Sequence, residues 1–275
     1  MIKLYEYRLP CSSAHWKIRE GLILQINEGF GEIAPLPKFS KETLADAKAE
    51  VLNWIRFKTT PTLPSVRFGI ACAHKPLRSI HLPLCSLGPR DGFTTVKLKL
   101  GHLTLESAIA LVLQYYRKYQ LRLDCNRAWS LEQALEFAKH FKPSDFIYLE
   151  EPVRNFEELV KFSKITHFPI ALDESIHQNW SDVVSLKAIV VKPTVVGSIP
   201  PIPSSLDLVL SSSYETGLGL LHIANLAQNN LPLGLDTYRS MEDDILTSPI
   251  NCSSGFFSWT FTNPVINMSK LCRVL

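Results

Sequence analysis

The sequence predicts an α/β protein: a compact, closed β/α barrel with a smaller α+β unit at its amino-terminal side. Three observations lead there. From about residue 80, short apolar runs recur and most end in a polar or charged residue: VKLKLG, LRLDCN, FIYLEEP, IALDES, AIVVKPT, LVLSSSYE and LGLDT. Helix-like stretches such as TLESAIALVLQYYRKY and SLEQALEFAKHF separate several of them, and strands alternating with helices imply a parallel sheet with covered faces. With Lys99, Asp124, Glu150, Asp173, Lys192, Ser211 and Asp236 as markers, the steps are 25, 26, 23, 19, 19 and 25 residues, at or below the roughly 25 residues per unit of the smallest barrels.

The elements follow in chain order. Residues 2–9 and 22–28 alternate well enough to pair as strands, joined by the polar segment Pro10–Gly21. Gly29 and Gly31 predict a turn before EIAPLPKFS. Ser40 precedes the helical stretch KETLADAKAEVLNWI, with Glu42 placed in a first turn where the helix dipole favours acid. A second helix, SVRFGIACA, follows Pro64. Residues 1–78 thus form the α+β unit, residues 79–245 the barrel, and the tail 246–275 is expected to pack back on the first unit. Between Lys192 and the serine-bearing strand the chain reads PTVVGSIPPIPSSLDLVL, and Pro200, Pro201 and Pro203 exclude an ordinary helix. An extended loop over 194–205 is expected instead, its flank covered by FFSWTF (Phe256–Phe261) or by a partner subunit. The link from Cys85 to Val96 is also thin for a parallel crossover.

Composition removes several classes of function. The 275 residues hold a 46% apolar content, ample for a core, and a net charge of +3 too dispersed for nucleic acid. The start, MIKLYEYRLP, lacks the long apolar segment of a signal peptide and no run approaches membrane-spanning length, so a soluble cytoplasmic protein without a membrane partner is expected. Six scattered cysteines read as reduced thiols. Zinc hydrolysis and the usual nucleotide loops are not indicated: there is no H-E-x-x-H and no P-loop, and GLGLLH lacks the third glycine of a dinucleotide fingerprint.

Asp124, Glu150 and Asp173 each close a different apolar strand, so a barrel brings them to one mouth, where barrel enzymes keep their chemistry. Three oxygen ligands without histidine or thiolate suit a hard cation such as Mg²⁺. Lys97 and Lys99, two apart in one strand, face the same way. On an edge strand such a pair is a device against aggregation; inside a barrel it places two cations beside the carboxylates. Lys192 ends a further apolar strand and either snorkels to the rim or joins the set. A neutral amine beside a metal-bound carboxylate can remove the adjacent proton, the metal stabilising the enediolate, which is the enolase-superfamily pattern.

KLK, LRLDCNRAW, LEEP, ALDES, VVKPT, SSSYE and GLDT, in that order, together with GFGEIAPLPKFSKET near the amino terminus, resemble the o-succinylbenzoate synthase family of the enolase superfamily. The resemblance runs to about Asp236. It implies a modified, TIM-like (β/α)₇β barrel under an α+β capping domain. The implied reaction, in menaquinone biosynthesis, is loss of water from 2-succinyl-6-hydroxy-2,4-cyclohexadiene-1-carboxylate, a small-molecule carboxylate substrate. Residue by residue, Asp124, Glu150 and Asp173 match the Mg²⁺ ligands, with Mn²⁺ expected as a substitute. Lys99 matches the base that then serves as acid, Lys192 the cation on the opposite face, and Lys97 the auxiliary lysine that tunes Lys99. Asn126 and Ser211, Ser212 and Ser213 match positions near metal and substrate, against plainer readings as a turn amide and strand-end hydroxyls. Pro10–Gly21 matches the mobile lid, with Arg19 as a substrate contact. The same two opposed lysines would also serve N-acylamino acid racemisation. A barrel with lost helices, kept as a scaffold, is the non-enzymatic alternative.

Overall fold

The computed structural model describes residues 1–13, 16–260 and 263–275. Ile2–Pro10 (β1) and Ile18–Ile26 (β2) form an antiparallel pair running from Ile2 opposite Ile26 to Pro10 opposite Ile18. The strands reach further into Pro10–Gly21 than the sequence suggested, and of their connection Ala14 and His15 lie outside the described residues. The turn before the third strand, Gly29–Ile33 (β3), falls at Asn27–Glu28, with Asn27 at φ 53°. Gly29 and Gly31 are strand residues, not the turn. Their role is close approach: a Cβ on Gly31 would stand 1.9 Å from the Gly69 carbonyl oxygen, and one on Gly29 2.1 Å from that of Ala73.

The first helix is Leu44–Phe57 (α1), later than Ser40 and Glu42 suggested. Thr43 caps it, its hydroxyl accepting from the Asp46 amide while the Asp46 carboxylate accepts from the Thr43 amide. Glu42 lies outside the helix, buried, and accepts from the Ser65 amide at the start of the second helix, Pro64–His74 (α2). That helix lies across β3, which is why the facing glycines are needed.

After Ile80–Pro83 (β4) the barrel begins. Ser86–Leu87 (β5), Thr95–Lys99 (β6), Gln120–Asp124 (β7), Tyr148–Glu150 (β8), Ile170–Leu172 (β9), Leu186–Val191 (β10) and Asp207–Leu210 (β11) form one parallel sheet in that spatial order. Parallel bridges Ser211–Gly234 and Leu233–Leu84 join its two edges, so the residue 233–234 segment is the eighth stave and the ring closes. Leu98, Leu123, Leu149 and Ile189 point outward into a core with Ala108, Val112, Phe137 and Phe162. The alternate residues point inward, where Tyr148, Ala171, Ala188, Val190 and Val209 fill the floor. Lys97 and Lys99 therefore face the interior.

Leu105–Tyr115 (α3), Leu131–Ala138 (α4) and Phe156–Thr166 (α5) follow β6, β7 and β8, and Gly217–Asn225 (α7, below) follows β11. No helix intervenes between β5 and β6, and β9 is followed only by short 3₁₀ turns at Glu174–His177 and Trp180–Asp182. After β10 comes one turn, Pro193–Val196 (α6), then residues 197–206 without helix or strand. The expected gap in the outer layer is present, and within the chain its cover is not Phe256–Trp259. Ile199, Ile202 and Leu206 of the Pro-rich segment fold down on the outer core, and α2 of the cap abuts α6, where Gly197 lets Pro64 approach. Phe256–Trp259 (β12) pairs instead with β4, Phe257 opposite Leu82; Phe261 lies outside the described residues. The last strand, Leu271–Arg273 (β13), pairs with β1 and completes the sheet of the amino-terminal unit. No helix among the described residues is long and apolar enough to cross a membrane.

Gly31→Ala is expected to lower the free energy of unfolding by at least the roughly 1–3 kcal/mol typical of overpacking, because the added methyl meets backbone that cannot move aside. Urea denaturation measures it; an unchanged midpoint would mean that β3 and α2 separate without loss.

Candidate active site

At the carboxyl ends of the strands the inward residues form two layers. In the lower one the Arg122 guanidinium lies 5.5 Å from the Tyr148 ring centroid and donates to the Pro232 carbonyl at 2.7 Å. Above it, β6, β7 and β8 are in register, Lys99 beside Asp124 and Asp124 beside Glu150. The Lys97 ammonium sits between two carboxylates, 2.9 Å from Asp124 Oδ2 and 2.8 Å from Glu150 Oε1. Glu150 Oε2 is also 2.8 Å away in the same ion pair, and this buried oxygen receives no hydrogen bond. Across the mouth, Lys192 hydrogen-bonds Asp173.

The electrostatics separate the three lysines. Burial alone would lower Lys97, yet Glu150 and Asp124 outweigh it and hold the ammonium well above its ordinary range. Lys192 is likewise raised, burial being overcome by Asp173. Lys99 moves the other way. Its tip reaches solvent, but the surrounding walls remove enough water to lower it; Asp124 opposes the shift, and the Lys97 and Lys192 charges add to it. Asp124 is lowered, since Lys97 outweighs its burial. Glu150 is pushed up to about 8, by burial first and by the neighbouring Asp124 and Asp173 charges beyond what Lys97 offsets. A crowded carboxylate set with one unbonded oxygen and no nitrogen or sulfur donor has the chemistry of a hard-cation site. Among the described residues the carboxylates do not yet converge on one point; ammonium groups stand among them.

Of the remaining candidates, Asn126 is exposed in a left-handed conformation (φ 47°), and its backbone amide donates to Asp124 Oδ1 at 3.1 Å. Ser211 and Ser212 donate to the Gly234 carbonyl at 3.2 and 3.1 Å and so fasten the closing stave. Ser213 is buried with an unpartnered hydroxyl. Arg19 does not reach the carboxylate layer: its donors go to the carbonyls of Tyr214, Glu20, Pro35 and Ala34. At the mouth, Trp16 packs edge-on against Tyr214, ring centroids 5.4 Å apart.

Three further features hold the site together. Glu151, in a left-handed conformation, turns its carboxylate to accept from the amides of Asp173 and Ser175 and the Ser175 hydroxyl, which fixes where Asp173 leaves its strand. Asp236 ties the eighth stave to the Leu87 amide and to Arg90. The third is a buried cluster where the amino-terminal unit meets α7: Tyr7 and Thr216 both donate to the Glu32 carboxylate. The local signals were present, acids beside glycines in GFGEI and SSYETG, but nothing local pairs strand three with a loop some 180 residues later.

A closed parallel barrel under a cap, with lysines and carboxylates on successive strand ends, defines an enzyme of the enolase superfamily. Family models agree: residues 1–77 match "MenC, N-terminal domain" and residues 87–193 match "Enolase C-terminal domain-like". The o-succinylbenzoate synthase of Haemophilus influenzae is 35% identical, over 88% of this chain and 91% of that protein. The o-succinylbenzoate synthase of Pasteurella multocida is 34% identical, over 89% and 91%. A crystal structure of o-succinylbenzoate synthase from Thermosynechococcus elongatus BP-1, complexed with Mg in the active site, superposes with a TM-score of 0.71 at 25% identity, covering 90% of this chain and 96% of that one. Muconate lactonizing enzyme from Pseudomonas fluorescens shares the fold, with a TM-score of 0.75 at 16% identity over 98% and 97% of the two chains. The chain belongs to the o-succinylbenzoate synthase family.

Glu32 yields a pH prediction. It is pushed up to about 7, by burial first and by the nearby Glu215 carboxylate, against the hydrogen bonds from Tyr7 and Thr216 and the Arg19 charge. Unfolded, it ionises near its ordinary value of 4.5. Between these limits the folded state holds the extra proton, so stability falls as pH rises through that window, by on the order of 3 kcal/mol. Thermal melts of wild type and Glu32→Gln across pH 4.5 to 7 should show this fall only in the wild type; parallel curves would remove Glu32 as its source.

Proposed function

We propose that the chain catalyses dehydration of 2-succinyl-6-hydroxy-2,4-cyclohexadiene-1-carboxylate to o-succinylbenzoate, the product that its relatives' name states. The observation that carries this is the asymmetry of the lysines: Lys97 is ion-paired to Asp124 and Glu150 and Lys192 to Asp173, while Lys99 has no such pair and is lowered by burial first and by those two charges. Lys99 in its neutral form takes the proton from the carbon next to the substrate carboxylate. It then returns that proton to the departing hydroxyl, so that hydroxide leaves as water and the ring becomes aromatic. One residue on one face suffices for both transfers, which makes the elimination syn. Lys192 stays an ammonium and stabilises negative charge from the opposite face. Lys97 remains locked to Asp124 and Glu150, where its charge keeps Lys99 deprotonated. Asp124, Glu150 and Asp173 are the residues to hold a divalent cation, Mg²⁺ or in its place Mn²⁺. When bound, that cation supplies Lewis-acid stabilisation to the substrate carboxylate. Two-base racemisation of N-acylamino acids fits less well, since it needs Lys99 and Lys192 to exchange roles, and Asp173 biases Lys192 toward the charged form. A scaffold without chemistry has no use for buried opposite charges that cost solvation.

Turnover of the cyclohexadiene substrate by the purified chain tests the reading directly, and absence of product would refute it. Lys99→Ala should lower turnover by at least the roughly 10²–10⁴-fold typical of losing a general acid–base group. Lys97→Ala should shift the rising limb of the pH–rate profile to higher pH, because removing a nearby cation lets the Lys99 amine bind its proton more tightly; an acid shift would reverse the assignment.

Exhaustive chelation should abolish turnover, and Asp173→Asn should weaken divalent-cation binding in calorimetry. Full activity without metal would exclude the cation role of the three carboxylates.

A further inference from the structure

We propose that Arg19 and Glu32, both from the capping sheet, are positioning residues that set the barrel loop Ser211–Thr216 for substrate, so the cap acts on binding through the protein backbone. The contacts fall on alternate residues of that loop. Arg19, only 3% exposed, donates from Nε to the Tyr214 carbonyl at 3.0 Å, and its other donors anchor it to the Ala34 and Pro35 carbonyls of its own unit. Glu32, 2% exposed, accepts from the Thr216 amide at 3.1 Å and the Thr216 hydroxyl at 2.8 Å, and Tyr7 holds its other side. Between them Glu215 is buried and turns back to accept from the Ser213 amide.

The loop needs such a hold. Tyr214 has φ 61°, a left-handed conformation that a tyrosine rarely adopts unaided. Thr216 opens α7 without a capping bond from its own side chain, and the acceptors come from elsewhere: Glu32 of the cap for the Thr216 amide and Asp244 for the Gly217 amide at 3.0 Å. Gly219 is what admits it: a Cβ there would stand 2.2 Å from Glu32 Oε2. The same loop carries Ser211 and Ser212, which fasten the eighth stave, and Ser213 with its buried free hydroxyl. The metal-type carboxylates stand on β7 and β8 and at the end of β9, attached to none of these contacts. The clamp should therefore affect substrate fit and leave cation binding alone.

This inference rests on the dehydratase reading for its kinetic arm only. In the full-length protein, Glu32→Ala and Arg19→Ala should raise amide hydrogen exchange across residues 211–217 by about tenfold or more, with exchange of the β7 and β8 amides unchanged. KM for the cyclohexadiene carboxylate should rise about tenfold while kcat stays within about threefold, and Mg²⁺ affinity by calorimetry should not move. Glu32→Gln keeps one acceptor for Thr216 and should recover much of the loss; if the alanine variants do not fold, Arg19→Lys, which lacks the Nε donor to Tyr214, carries the test with the same expected rise in exchange. Unchanged exchange over 211–217 in the folded variants overturns the proposal, as does a loss of Mg²⁺ affinity or a fall in kcat at constant KM. A wild type without dehydratase turnover would refute the proposed function, and the exchange measurement would still decide the clamp.

Discussion

Everything at the barrel mouth depends on one ammonium group between two carboxylates. Lys97, Asp124 and Glu150 lie on three adjacent strands, largely out of water, where an isolated charge would be untenable and a pair survives only with close geometry. Parallel register supplies that geometry, because it brings Asp124 beside Glu150 and Lys99 beside Asp124 without any loop having to fold correctly. The floor beneath is small or aromatic, with Arg122 over Tyr148, so the charged layer is supported from below.

The second consequence is division of labour. Three lysines of one chemical type take two protonation tendencies because each meets a different number of carboxylates. Lys97 has two and Lys192 has one, so both are held charged; Lys99, without a direct ion pair to offset its burial and with two cations nearby, is pulled down. The strand pattern K-x-K thus places two lysines of opposite tendency two residues apart on one face.

The outer shell is less regular than the inner one, and the cap compensates. Where prolines prevent a helix after β10, the chain folds apolar residues of the loop against the barrel and α2 closes over α6. The capping sheet itself takes in β13, which pairs antiparallel with β1, so both ends of the barrel sequence are tied to one sheet. Cap and barrel are thereby joined at several points, among them the buried contacts of Arg19 and Glu32 with the serine loop.

The sequence by itself determined the barrel, the inward lysines and the acids at strand ends, because these rest on period-two alternation and unit spacing, both local properties of the chain. It also excluded a full outer helix between Lys192 and the serine strand, since Pro200, Pro201 and Pro203 would each remove a donor and clash in a helix interior; only the single turn Pro193–Val196 forms there. Helix starts were misplaced by a few residues, as Thr43 competed with Ser40 for the cap and only the capping-box partner Asp46 chose between them. Other features were decided by the tertiary structure alone: that Gly29 and Gly31 serve helix approach, that Arg19 serves backbone carbonyls, that Phe256–Trp259 belongs to β4, and that Glu32 reaches Thr216. Each of these depends on which surfaces meet across long stretches of chain, and the free energy of such contacts is invisible to any local pattern.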